Sequence, residues 1–531
     1  METSVNGRWT PIDAEAQLTQ RKDDETCETE NSGFRTVLPQ ILASTAKNLL
    51  LLDLGMTVAY PTIAIPELLA AKDGLKFTGE EASWFGSITY ICQPLGSVIS
   101  GFLFEPLGRK KAMLLVNLPH ILGWFLIYFA TSISHLYIAA VILGAGIGFM
   151  EAPIITYVGE ICQPKWRGML AAYAGICVGI GFLFINLLGA ATTWRTAAAI
   201  CAAVPMIAFI AILQVPESPV WLLSKGRVKE AERSLCWLRG WVKPEAVRKE
   251  FSHLVEHSEM HKKKEIISIK TISSEIERQT CIETREAPKK NKFSFNGVIR
   301  GLSLHYLFDR STMQPLLLVT LFFIVHHASG ITSTRPFLVE IFKEFGTVLD
   351  GNWVTVISSA IGIVGNIIGM IWLRFSGKRK LAIISSVICI ICNLLISIYS
   401  LFFFASNLSS IPITLFILLN FGWSFGIGQI PWMLTSEIFP IRGRGIASGI
   451  AAAGSYVLGF IFTKTYYDMH QNLTLSGTFG FFTIFTLAGL IFLYYFLPET
   501  EGKTLKEIEI ILTKKFDKIF KRESQTHETD I

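Results

Sequence analysis

Glu160, Arg167 and Gly168 lie in the segment YVGEICQPKWRGML, residues 157–170, and the second half of the chain answers with Glu437, Arg444 and Gly445 in MLTSEIFPIRGRGIAS, residues 433–448. Two more pairs repeat in the same order: LGRKK at 107–111 with SGKRK at 376–380, and PESP at 216–219 with PETEG at 498–502. An acid and a base held a fixed distance apart at a helix end form ion pairs that can make and break. They do not form a nucleophile with its base, and no phosphate-binding GxxxxGK[ST] loop accompanies them. The chemistry on offer is switchable electrostatics, and no catalytic role is expected.

Groups of this kind need rigid elements to carry them, and the composition says which. Of 531 residues, 51% are hydrophobic and 17% charged, where a soluble domain carries about 25% charge; mean hydropathy is +0.45. Apolar runs near the ~20 residues needed to cross a bilayer recur twelve times. They fall at 41–63, 84–104, 112–131, 137–158, 169–190 and 195–215, then at 315–335, 353–373, 381–404, 411–433, 446–465 and 476–497. The expected fold is an all-α membrane protein of two six-helix repeats. Its divisions are 1–40 (N-terminal segment), 41–215 (first bundle), 216–314 (helical connection), 315–497 (second bundle) and 498–531 (tail).

Lysine and arginine in the short loops set orientation. Arg109, Lys110, Lys111, Lys165, Arg167, Arg374, Lys378, Arg379, Lys380, Arg442 and Arg444 gather on one face, and about half as many lie opposite. The richer face is expected to be cytoplasmic, with both termini and the 216–314 connection. The chain's two glycosylation sequons, at Asn407 and Asn472, fall in loops assigned to the other side, as glycosylation requires. No cleavable signal is expected ahead of the first span, which is expected to serve as signal anchor. The nine cysteines suggest no disulfide framework, and the Cys389/Cys392 pair inside the ninth span reads as packing. The connection is expected to form a solvated helical platform, with the basic run His261–Lys264 as a phospholipid-facing alternative.

Several segments bear a family likeness. LFEPLGRKK, YVGEICQPKWRG, VPESPVWLLSKGR, TSEIFPIRGRG and LPETEGKTLKEIE resemble the motifs of the sugar porter family of the major facilitator superfamily, most like insect facilitated trehalose transporter-like proteins, over nearly all of 40–510. The resemblance implies an inner-gate network of Arg109, Lys110, Glu160, Arg167 and Glu217 in the first half and Lys378, Arg379, Glu437, Arg444 and Glu499 in the second. Glu105 matches the family's acid ahead of the basic motif, whereas Arg374 reverses its sign.

By the same resemblance, HHASGITSTRPFLVEIF (326–342) and GWSFGIGQIPW (422–432) line a midplane solute site. Its expected contacts are His326, His327, Ser329, Thr332, Ser424, Trp432 and Tyr456. The polar set differs from the family pattern: Gly175 stands at the span-five glutamine position, Ser424 at the span-ten acid, Ser455 and Tyr456 at the span-eleven asparagine and tryptophan, and Ala140 at an arginine. Arg335 is expected to snorkel outward, to pair with Glu340, or to meet an anionic solute.

The span-one position that carries an aspartate in proton-linked relatives reads Tyr60-Pro61-Thr62, which favours facilitated diffusion; Asp53 and Glu151 keep proton symport as an alternative. The expected function is plasma-membrane transport of a small polar solute by alternating access, and the resemblance implies a sugar such as trehalose or a hexose. A non-transporting sugar sensor is the other alternative. The expected partners are that solute and the lipid bilayer; cofactor, metal and nucleic acid are not expected.

Overall fold

A computed structural model describes residues 34–256, 258–259, 310–346, 349–403, 410–439 and 444–501, with isolated positions beyond. Asn407 and the basic run at 261–264 lie outside the described residues.

The described helices account for twelve passes. Phe34–Ala70, Gly79–Leu107, Arg109–Tyr128, Ile133–Ile161, Pro164–Ala191 and Trp194–Gln214 are spans 1 to 6. Span 1 begins before the boundary read from hydropathy, because Phe34–Gln40 continues the helix without a break. Polar caps start two of these helices: the Ser132 and Thr193 side chains accept the N–H groups of His135 and Thr196, satisfying donors that a helix start leaves free. Span 7 is broken, Thr312–Ala328 meeting Ile331–Glu344 at 49°. Spans 8 and 9 form Gly351–Phe402, interrupted at Gly377, and spans 11 and 12 form Arg444–Phe496, interrupted at Thr474. Span 10 runs through Ser410–Gly422, a π-turn at Trp423–Ile427 and Ile430–Glu437.

Side chains facing outward are apolar, among them Leu118, Leu122, Ile207, Ile210, Ile484 and Ile491, as a lipid-facing surface requires. Between helices the backbones approach closely at small residues; a Cβ on Gly148 would lie 1.8 Å from the Gln93 carbonyl oxygen.

The cores reveal the state of the molecule. On the face carrying the charged motifs, each half has its own cluster: Met113, Ile154, Tyr157 and Ile212 in the first, Phe322, Leu434, Phe439 and Leu493 in the second. Toward the opposite face a single cluster joins both, with Tyr60, Ile65 and Phe85 packed among Phe337, Phe342 and Tyr466. Among the described residues, hydrogen bonds cross between halves at Thr62–Arg335, Ser83–Lys464, Asn186–Ser359 and Glu151–Tyr456. A Cβ on Gly159, Gly449 or Gly454 would meet open space. The molecule is closed at the face opposite the motifs and parted at the motif face.

The connection after span 6 starts as a small helical unit. Pro219–Ser224 and Val228–Leu238 bury Trp221, Leu223 and Ala231 against Phe251 and Leu254. Arg239 ties it to the bundle, binding Glu250 at 2.6 Å and the Ile161 carbonyl at 3.2 Å.

Candidate functional site

The duplicated motifs build the same knot twice. At the start of span 3, Gly108 takes φ 88° and the Glu217 carboxylate lies beneath it, accepting the N–H groups of Arg109 and Lys110, each at 3.1 Å. At the start of span 9, Gly377 takes φ 78° and Glu499 accepts those of Lys378 and Arg379, at 3.0 and 3.1 Å. Only glycine tolerates both the left-handed backbone and the carboxylate: a Cβ would lie 2.6 Å from Glu217 Oε2 in one half and 2.3 Å from Glu499 Oε2 in the other. Each acid thus caps a helix start and meets its positive dipole end. Burial pushes the Glu217 carboxyl up, opposed by the N–H groups of Ser218, Lys110 and Arg109 and by the Arg109 charge.

The first base of each motif then reaches the acid of the next motif: Arg109 binds Glu160 at 2.7 Å, and Lys378 binds Glu437 at 2.5 Å and Glu501 at 2.9 Å. The second base donates to the end of a third helix, Lys110 to the Leu213 carbonyl at 2.8 Å and Arg379 to that of Tyr494 at 2.6 Å. One knot therefore fastens spans 3, 4 and 6, the other spans 9, 10 and 12. The backbones of Arg167 and Arg444 open spans 5 and 11, but their side chains, like that of Glu105, lie outside what is described. Arg374 is exposed at the end of span 8.

Between the halves lies a cavity lined by Phe182, Asn186, Ser358, Ser359, Asn366, Asn420, Trp423 and Ser424, with Arg335 on its wall. Ser424 is the predicted solute contact that lines it. His326 and His327 stand behind, buried between helices: His326 Nδ1 lies 3.0 Å from the Ile427 carbonyl and His327 Nε2 3.2 Å from the Ser455 hydroxyl. In this conformation one nitrogen of each ring is taken up by protein, since the π-turn of span 10 directs a carbonyl at one and span 11 a hydroxyl at the other, while His327 Nδ1 is buried without a described partner. Ser329 donates to the His326 carbonyl at 2.7 Å, and Thr332 is buried without a described partner for its hydroxyl. Trp432 and Tyr456 form an aromatic pair, centroids 5.6 Å apart, against Phe323.

The expected outward snorkelling of Arg335, and its pairing with Glu340, do not occur here. Arg335 is buried, and Glu340 faces Lys343 at 3.7 Å. Four amides escaped the reading of the sequence. Asn186 donates across the halves to Ser359 at 2.8 Å, Asn420 donates to the Ser358 carbonyl at 2.8 Å, and Gln429 donates to Asn366 at 2.6 Å. A Cβ on Gly175 would come within 3.7 Å of Gln429, so span 10 supplies an amide opposite the place where span 5 has lost one. Isolated amides inside apolar spans are the signal that could have found them.

The family described as "Sugar (and other) transporter" matches residues 71–512. The chain belongs to this family. The facilitated trehalose transporter Tret1 of Apis mellifera ligustica is 30% identical over 480 residues, covering 88% of this chain and 87% of its own. Tret1 of Polypedilum vanderplanki is 29% identical, covering 89% and 88%. Among solved structures, the major facilitator proton:xylose symporter XylE bound to 6-bromo-6-deoxy-D-glucose superposes with a TM-score of 0.68 at 17% identity, covering 90% of this chain and all of that one. A partially occluded inward-open form of XylE from E. coli gives 0.66 at 17%, covering 88% and 99%. The fold is that of the major facilitator transporters, and the protein is a multi-pass membrane carrier of a sugar transporter family rather than an enzyme.

Proposed function

We propose that this transporter resides in the plasma membrane and moves a small hydroxylated solute, a sugar such as trehalose or a hexose, by alternating access and facilitated diffusion. The observation that carries this reading is the pairing of fused opposite ends with parted motif ends around a cavity of amides, hydroxyls and an indole. Directed hydrogen bonds and an apolar platform are what a sugar ring needs. The loop charges support a cytoplasmic motif face with both termini on it; the exposure of Asn472, on the face opposite the motifs, supports the same orientation. In this reading the two charge knots, with Arg167 and Arg444, bias the equilibrium between inner-open and inner-closed states. The solute contacts, once the halves rock, include His326, His327, Thr332, Ser424, Trp432 and Tyr456.

Counterflow into proteoliposomes, run over disaccharides, hexoses, polyols and organic anions, tests the reading. Labelled sugar is expected to equilibrate without a pH gradient. Binding without exchange of any solute would make the protein a sensor instead.

One feature favours a proton-coupled second reading. Glu151 accepts the Tyr456 hydroxyl from the other half at 3.1 Å and that of Ser97 at 3.2 Å, so a carboxyl sits on the surface that parts when the halves move. Under facilitated diffusion, Glu151→Gln, whose carbonyl oxygen still accepts from Tyr456, should leave exchange within about fivefold of wild type, since one neutral bond is worth roughly 1 kcal/mol. Wild-type accumulation driven by external acid, and lost in Glu151→Gln, would replace the uniport reading.

A further inference from the structure

The cavity holds one feature that a neutral sugar does not explain. Span 7 breaks at Gly330, φ 95°, and the bend turns the Arg335–Phe337 turn into the space between the halves. Arg335 is only 8% exposed. Its guanidinium carbon lies 4.0 Å from the centroid of Phe182, in the first half, and 5.3 Å from that of Trp423, in the second. Ring faces offset the charge of a cation but leave its five N–H donors to be satisfied elsewhere.

No aspartate or glutamate lines this cavity among the described residues. Glu340, the nearest acid in the same segment, is turned to Lys343. The ionisable groups around the guanidinium are Tyr90, His326 and His327, none of them a carboxylate, and the bond from Thr62 goes to the Arg335 backbone carbonyl and not to its side chain. A buried cation in a membrane protein is costly unless it has a partner or a task. Here it sits on the solute cavity, facing amides and hydroxyls that suit a polyol.

We propose that the preferred cargo is an anionic sugar derivative, a hexuronate. Its carboxylate docks bidentately on Arg335 and its hydroxyls bond to Asn186, Asn366, Asn420 and Ser424. The planar fork of a guanidinium matches a carboxylate in both charge and geometry, and Trp423 supplies the platform for the ring. This deepens, and rests on, the reading of the cavity as the transport site.

Binding and flux, measured separately on purified full-length protein, test it with two probes of nearly equal shape, D-glucuronate and D-glucose. Binding is read in detergent from quenching of tryptophan fluorescence, and exchange in proteoliposomes. Wild type should bind glucuronate at least tenfold more tightly than glucose. Arg335→Gln should erase that preference, and Arg335→Lys should recover part of it. Because the wild-type comparison needs no variant, a misfolded Arg335→Gln protein would not rescue the proposal.

Equal affinities for the two probes in wild type would overturn it. So would equal weakening of both by Arg335→Gln, which would make the guanidinium a strut of the outer closure. Glucuronate binding with no exchange of any solute would overturn the carrier reading and make glucuronate a bound ligand rather than a cargo. Glucose exchange with no glucuronate binding would overturn this proposal and leave the carrier reading standing.

Discussion

Gly86→Trp should reduce solute flux at least 100-fold in a protein that still folds. Gly86 lies in span 2 where the halves meet at the closed end, and a single added Cβ would already come 3.0 Å from the Pro336 Cβ and 3.2 Å from its Cγ. Pro336 belongs to the turn that follows the break in span 7, and its ring cannot swing aside as a long side chain would. Protein interiors resist such overpacking, with about 1–3 kcal/mol lost for added methylenes alone, and an indole adds far more. A 100-fold fall needs only about 3 kcal/mol at 1.4 kcal/mol per tenfold. The strain exists only when this end is closed, so the variant is confined to states open on the face opposite the motifs, and alternating access stops. Cysteines placed along the cavity should then react from that face and become protected from the motif face. Wild-type flux in a Gly86→Trp protein of normal yield would show that the contact between spans 2 and 7 is not part of closure.

What could be read in the sequence differs between the frame and the cavity, for a physical reason. Twelve passes, the repeat and the motif pairs are written in hydropathy and in charges near helix ends. An unsatisfied group in lipid is so expensive that few alternative arrangements are open to these residues. The knots were legible in the same way, because Gly108, Arg109 and Glu217 recur as Gly377, Lys378 and Glu499. The cavity was not. Which face of span 8 presents Ser358 and Asn366, and that Gln429 lies opposite Gly175, depends on how helices rotate against one another, and hydrophobicity says little about rotation in a helix with polar groups on several sides. His326 and His327 drew attention as ionisable residues at a familiar place, yet in this conformation the π-turn at Trp423–Ile427 captures the first with a backbone carbonyl. Snorkelling was expected of Arg335 because a long basic side chain near a helix end normally reaches for water. The kink at Gly330 turned it inward instead.

Replacing both Glu217 and Glu499 by alanine should cost the transporter more stability than any exchange of a single loop charge. Each carboxylate accepts three backbone N–H groups: Glu217 those of Arg109, Lys110 and Ser218, Glu499 those of Lys378, Arg379 and Glu501. A hydrogen bond to a charged group contributes about 1.5–3 kcal/mol. Water at this face can take over part of the loss, so about 3 kcal/mol per site is expected rather than the sum of three bonds. Alanine also removes the acid beneath a backbone turned to positive φ by Gly108 or Gly377, leaving the Lys110–Leu213 and Arg379–Tyr494 bonds to hold the start of span 3 or span 9 to the end of span 6 or span 12. Glutamine keeps one acceptor oxygen and so should fall between glutamate and alanine. Melting of the detergent-solubilised protein, followed by size-exclusion profile against temperature, should rank wild type above the double glutamine variant and that above the double alanine variant. The two single alanine variants should lose similar amounts and add when combined, because the knots are separated by the open end of the cavity and share no partner. Melting of the double alanine variant at the wild-type temperature would mean that the paired acids act only on the conformational equilibrium and carry no structural load.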